Sequence, residues 1–352
     1  MKTLMKTKSL MQTKILMKNK VISAFFITVC LMGTGYAKTA PNAEPSTTNY
    51  SAIVQNAYTQ FKNDKRGDVA DYIPALAKYS PDNYAIVVAT VDGQIFSAGN
   101  KDALFPLESL TKVFTLALAM EQQGQKQTLN KLGANATGLP FNSGLAVELR
   151  PERPQNPLVN AGAISSVSLL NAKNAEAKWE QIMGNLNAFA DNQLHVNQEV
   201  YQSESETNQH NQALALLMQS YGRLYSNPRE AVDLYTRQCS VDASTLDLAK
   251  MGATLANHGQ SPYSGKRLIA EENVPKILAE MAIAGLYDGS GQWLYNVGIP
   301  AKSGVGGGIF AVVPGKYAVA VYSPPLDKEG NSVRAQEAIE YIAHATQANV
   351  FR

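Results

Sequence analysis

Ser109-Leu110-Thr111-Lys112 holds the chain's sole serine with a lysine three residues further on. On a helix, positions i and i+3 share a face, so the hydroxyl and the amine would lie side by side at a helix start. There the free backbone N–H groups and the positive end of the helix dipole favour developing negative charge. A serine hydroxyl is a weak nucleophile and needs a base; a lysine can serve if burial or a second cation lowers its pKa. The plain alternative is a helix cap beside a solvated lysine. A second cluster, Lys302-Ser303-Gly304 followed by Val305, Gly306, Gly307 and Gly308, offers backbone N–H groups close to a substrate, as an oxyanion requires. Its plain alternative is a flexible loop. The order GxxxxGK[ST] is absent, which excludes a phosphate loop.

The elements that must position these clusters are readable from pattern. Ser51 to Phe61 has the spacing of a first helix. Tyr84 to Ala98 is two apolar runs around Asp92-Gly93, a hairpin signal because that pair accepts positive φ. From Ser109 a helical pattern runs through Val113, Phe114, Leu116, Ala117 and Met120 to a stop at Gly124. Residues 150–157 form a proline-punctuated loop, and the next 130 or so residues are mostly helical, as in Asn211 to Met218 and Leu246 to Ala256. Gly308 to Ser323 returns to strands hinged at Pro314-Gly315, and Arg334 to Ala348 fits a closing helix. Strands therefore sit at both ends. Because connections seldom cross, they are expected to pair into one antiparallel sheet with flanking helices, beside a helical lobe. The fold class is α+β, and a cleft between sheet and helices is where a ligand would bind.

Composition narrows the function. The chain has 352 residues, 45% of them hydrophobic and 17% charged, which excludes disorder. Two cysteines and four histidines cannot build a zinc-finger array or a disulfide scaffold. Residues 1–37 hold six lysines (2, 6, 8, 14, 18 and 20) and no acid, which leaves 25 basic against 29 acidic residues in the remainder. A weakly acidic body does not seek nucleic acid. Val21 to Met32 is an apolar run of 12 residues, short of the roughly 20 that span a membrane. With lysines before it and Gly35-Tyr36-Ala37 after it, it is expected to be a secretory signal peptide cut after Ala37, with Met1, Met11 or Met17 as the start. Its removal takes Cys30 and leaves Cys239 alone, so no intramolecular disulfide can form. The expected location is the periplasm, with no stable membrane anchor after cleavage.

SxxK opening a helix after N-terminal strands, then KSG on a strand almost 200 residues later, resembles the serine β-lactamase and penicillin-binding protein superfamily. In that layout Lys302 would be the second cation that depresses Lys112. An SDN or a well-placed YxN is absent; Asn156 to Ile164 (NPLVNAGAI) stands there instead. Gly67 to Leu76 (GDVADYIPAL), Phe105 to Leu116 (FPLESLTKVFTL), NPLVNAGAI, Ser203-Glu204, His210 to Ala213, Asp233 to Ser240 (DLYTRQCS), Gly285 to Gly291 (GLYDGSG) and Pro300 to Ile309 (PAKSGVGGGI) then occur in order. Across residues 65–345 this pattern resembles the serine-dependent glutaminase family.

The resemblance implies a β-lactamase-like fold and hydrolysis of L-glutamine through an acyl-serine, without metal or cofactor. Ser109 resembles the nucleophile, Lys112 its base partner and Tyr287 the tyrosine that relays a proton to the leaving ammonia. Val305 and the Ser109 N–H resemble the oxyanion hole, and Tyr72, Asn160, Glu204, Asn211 and Tyr235 match positions that hold glutamine. Those residue types suit a free amino acid, whose ammonium wants a carboxylate and whose carboxylate wants amide and phenol donors. Taken singly, each has a duller role in a core, a cap or a solvated surface. The chain departs from the family pattern at His210, where arginine is usual, at Ile283-Ala284 and at Thr111. His210 is expected to weaken charge pairing near the substrate carboxylate. The expected domains are a signal peptide (1–37), a linker (38–50) and a catalytic domain (51–352), with a sheet lobe at about 51–115 and 295–352 and a helical lobe at about 116–294. The family commonly forms homo-oligomers. The rival readings are a periplasmic β-lactamase or penicillin-binding-type acyl enzyme, and an amino-acid-binding protein on a dead enzyme scaffold.

Overall fold

The computed structural model describes residues 48–352, which form one compact unit. The expected signal peptide and all but the end of the expected linker lie outside the described residues. Helix α1 (Tyr50–Phe61) begins one residue before its expected start, capped by Asn49, whose Oδ1 accepts from the Ala52 N–H at 3.0 Å. Strands β1 (Ala85–Thr90) and β2 (Ile95–Gly99) follow, turning at Asp92-Gly93 with Gly93 at φ +87°. A short β3 (Leu104–Pro106) leads into α2 (Thr111–Gln123) and α3 (Gln125–Leu132). Then come α4 (Gly144–Leu149), α5 (Asn160–Leu169), α6 (Ala175–Ala190), β4 (His195–Val196), α7 (Gln198–Thr207), α8 (Gln209–Ser220) and α9 (Pro228–Cys239). Strand β5 (Val241–Ser244) runs directly into α10 (Thr245–Ala256), followed by α11 (Val274–Ala284) and α12 (Ser290–Asn296). The chain closes with β6 (Ala301–Ser303), β7 (Gly308–Val313), β8 (Tyr317–Tyr322) and α13 (Val333–Ala345).

The end strands pair as the pattern requires. The sheet runs β2-β1-β8-β7-β6, antiparallel throughout, with β1 against β8 in the register Ala85 to Tyr322 through Thr90 to Tyr317. Every residue of β1, β7 and β8 is buried, because both faces are covered. Ile86, Val88, Val319 and Val321 face α1 and α13, while Val87, Ala89, Ala318 and Ala320 face the helices of the other side. Helix α10 lies close against that second face at Gly252, where an added Cβ would stand 2.8 Å from the Ala318 Cβ.

A second sheet was not expected. Strands β3, β5 and β4 pair antiparallel inside the helical part. Its role is local: β5 holds β3, and the Leu107 N–H donates to Val241 O at 2.9 Å, which fixes the turn just before Ser109. The helical part centres on α5, buried along its whole length. Among the described residues no helix is long and apolar enough to cross a membrane.

Candidate active site

The expected serine-bearing helix start is a 3₁₀ turn, Glu108–Leu110, that passes into α2. Glu108 takes φ +50°, uncommon for a residue with a side chain, and the Thr111 hydroxyl donates to its carbonyl at 2.8 Å. Thr111 thus secures the turn from the position where the family's second serine usually stands. Ser109 is buried at the base of a cavity of about 720 Å³. Among the described residues its N–H donates to no backbone carbonyl. The same holds for Val305, which sits in the turn closed by Gly304 and Gly308. Two amide donors on separate segments are therefore left for an oxyanion.

Three groups stand behind the cavity lining. Tyr287, at φ +52° in a one-turn 3₁₀ segment, has a buried phenol near Ser109 that donates to Ser303 O at 3.4 Å. Burial pushes this phenol's pKa up; the hydrogen bonds with Ser109 and Ser303 oppose the shift. Lys302 is fully buried, 4.5 Å from the Tyr287 ring centre, and donates to Gly285 O at 3.0 Å and Ser303 O at 2.6 Å. Gly285 must be glycine: a Cβ there would fall 1.7 Å from Ala301 O. Lys112 is also buried, and its amine donates to Leu158 O at 3.2 Å and to Asn160 Oδ1 at 2.7 Å.

Lys112 falls to about 8 because of burial, opposed by the nearby Cys239, Glu108 and Glu204. Lys302 lies well below the ordinary lysine value, through burial first and the Lys112 charge second.

The remaining candidates come together around the cavity. Tyr72, Asn160, Glu204, Asn211, Tyr235 and Val305 line it with Ser109. Asn160, the first residue of α5, connects them: its Oδ1 accepts from Lys112 and from Tyr235 Oη at 3.2 Å, and its Nδ2 donates to Asn211 Oδ1 at 3.0 Å. Glu204 is 8% exposed and its carboxyl is raised to about 7 by burial. Tyr72 is 58% exposed, yet its phenol is raised by burial and by Tyr287, Glu108 and Glu204, so its hydroxyl end sits in the cavity. His210 also lines the wall and bonds the Asn142 carbonyl through Nε2.

Two residues at this site escaped motif reasoning. Glu108, 3% exposed, is pushed well up by burial and by the Glu204 charge. Cys239, at the end of α9, is buried with its thiol raised. Both fall inside the segments FPLESLTKVFTL and DLYTRQCS, and each is adjacent or close to a residue already singled out, which is the one signal that pointed to them. With Glu204 they form a group able to hold a metal, the ligand atoms all within 4.8 Å of one another.

The family model described as Glutaminase matches residues 67–351. The glutaminase of Colwellia psychrerythraea is 53% identical over 300 residues, covering 85% of this chain and 96% of that protein. Glutaminase 1 of Escherichia coli K12 is 50% identical over 299 residues, with 85% and 96% covered. Among solved structures, the probable glutaminase ybaS superimposes with a TM-score of 0.85 at 50% identity, covering 86% of this chain and 98% of that one. Mglu in its glutamate form gives 0.81 at 33% identity, over 85% of this chain and 69% of that one.

Proposed function

The chain belongs to the glutaminase family, and from that premise we propose that it hydrolyses L-glutamine to L-glutamate and ammonia through an acyl-serine at Ser109. The observation that carries the mechanism is a buried Ser109 in the cavity wall with the Tyr287 phenol and two buried amines, Lys112 and Lys302, gathered behind it. In this reading Tyr287 takes the Ser109 proton as Oγ attacks the side-chain amide carbon and passes its own phenol proton to a neutral lysine behind it, which hands it back through Tyr287 in the next step. The Ser109 and Val305 N–H groups receive the oxyanion, each worth about 3 kcal/mol in the transition state. As the C–N bond breaks, Tyr287 returns the proton to the departing ammonia. Water then attacks the ester, Tyr287 accepts its proton and returns it to Oγ, and glutamate leaves.

Substrate is held at its α-carbon end. The ammonium goes to Glu204, and the carboxylate to the amide and phenol donors of Asn211, Asn160, Tyr235 and Tyr72. The β-lactamase reading is not favoured, since the family model and the named relatives are glutaminases. The test is ammonia release from glutamine by the purified protein, with a chromogenic β-lactam as the second substrate. Ser109→Ala should keep the fold and lose at least about a thousandfold in turnover. A variant that retained most activity would remove the serine from the mechanism.

Export to the periplasm rests on the lysine-rich, apolar leader before Ala37. N-terminal sequencing of protein from a periplasmic extract should begin at Lys38; an uncut chain in the cytoplasm would overturn it. Assembly as a homo-oligomer rests on family habit, and light scattering of the purified protein tests it.

A further inference from the structure

We propose that Glu108, Glu204 and Cys239 form a binding site for a thiophilic divalent cation, zinc or cadmium, which competes with the ammonium of glutamine for the same carboxylates. The three ligands come from separate parts of the fold: the turn before α2, the middle of α7 and the end of α9. One carboxylate oxygen from each glutamate and the Cys239 Sγ lie within 4.8 Å of one another, and all three residues are buried. Among the described residues, Glu108 Oε1 and Glu204 Oε1 have no partner beyond each other's carboxyl, although their residues are only 3% and 8% exposed. Such carboxyl oxygens are costly unless a cation or a proton meets them. The nearby amine does not bond them, because Lys112 donates to Leu158 O and Asn160 Oδ1 instead.

The donor set selects the cation. Magnesium and calcium want six or more oxygen ligands, and this cluster has a sulfur and two carboxylates. One thiolate with two carboxylates and an open position is a tetrahedral zinc pattern, with bonds of about 2.3 Å to sulfur and about 2.0–2.2 Å to oxygen. Those lengths place neighbouring donors roughly 3.3–3.8 Å apart. Closing from the present spacing takes at most roughly 1–1.5 Å of side-chain movement for zinc, and less for the larger cadmium ion. Cys239, Glu108 and Glu204 also line the cavity over Ser109, so the fourth position opens toward substrate space and a water can fill it.

The exchange balances in charge. With one proton shared by the glutamates and one on the thiol, the group carries a single negative charge. A divalent cation forms one metal–sulfur and two metal–oxygen bonds, and both protons leave to water. Three anionic ligands around a doubly charged ion again give a single negative charge, with no redox change. The buried Lys112 therefore meets the same field before and after. The competition with glutamine rests on the proposed role of Glu204; the coordination itself does not.

The experiment uses the full chain carrying Cys30→Ser, so that Cys239 is the sole thiol. Titration with cadmium should give a thiolate-to-metal charge-transfer band saturating at one ion per chain, and calorimetry with zinc should give one site in the low micromolar range. Cys239→Ser should abolish the band, and Glu108→Gln and Glu204→Gln should each weaken zinc binding by about tenfold or more, with the circular dichroism spectrum unchanged. Zinc should also slow alkylation of Cys239 in the chain that keeps it, which tests coordination even if the thiol variant folds poorly. Glutamate should raise the apparent zinc dissociation constant. Absence of saturable binding, or binding untouched by both glutamine substitutions, would sink the site; zinc and glutamate binding independently would sink the competition. Zinc binding by a protein that releases no ammonia would leave the site standing and remove the glutaminase mechanism instead.

Discussion

Lys112 and Asn160 are joined by a 2.7 Å hydrogen bond, Nζ to Oδ1, which makes the buried amine and the cavity-lining amide a single unit. The same Oδ1 accepts from Tyr235, and the Nδ2 of that amide reaches Asn211. Asn160 therefore sets the position of the amine and the orientation of two further cavity-lining side chains at once.

Replacing Asn160 with alanine removes all three connections and leaves the Lys112 amine one partner short in a buried place. The expected result is a fall in kcat/KM of roughly a hundredfold, shared between kcat and KM, since a lost hydrogen bond to a charged group costs about 1.5–3 kcal/mol. Asn160→Asp restores shape and places a carboxylate beside the amine, which should raise the Lys112 pKa. Steady-state kinetics of both variants check this; a change in KM alone would confine Asn160 to substrate binding.

The pH profile follows from Lys112, lowered to about 8 by burial. If the proton relay uses the neutral amine, kcat/KM rises with pH and levels off above about 8. Asn160→Asp should shift that rise upward in pH. A profile already flat from pH 6 to 9 would show that no amine titrating near 8 takes part.

Tyr287→Phe removes the buried phenol near Ser109 but keeps the ring against Phe141, at 4.6 Å between centres. The fold should survive. Turnover should drop by roughly 10²–10⁴, the span of a lost proton relay, with KM little changed. Ammonia release in single-turnover and steady-state modes checks it; a selective loss of the later, ester-hydrolysis step would mean that Tyr287 serves deacylation alone.

What could be read from sequence divides along physical lines. The hairpin at Asp92-Gly93 and the β7–β8 pair were legible because a strand buried on both faces is an unbroken apolar run bounded by turn residues. Strands β3, β4 and β5 were not, because two to four residues carry no periodicity and their pairing joins positions as far apart as Leu104 and Ser244. Spacing put Ser109 next to Lys112, yet the amine's hydrogen bonds go to α5 and the segment before it. Glu108 and Cys239 were invisible for a related reason: a lone acid and a lone thiol become a group only when α7 and α9 close over the turn.

Glu280 is the counterpart of this site in the scaffold. It lies on the buried side of α11, its Oε2 has no partner among the described residues, and burial alone raises its carboxyl to about 8. Between the ordinary carboxylate value near 4.5 and about 8, the folded protein holds a proton there that the unfolded chain has released. Stability contributed by this group is thus full below about 4.5 and declines as pH rises through that window. Glu280→Gln keeps the shape and cannot ionise, so it should be close to neutral at pH 5 and stabilising by on the order of 2 kcal/mol at pH 9. Urea unfolding of both proteins at the two pH values decides it, because equal differences at pH 5 and pH 9 would mean that Glu280 stays ionised in the fold.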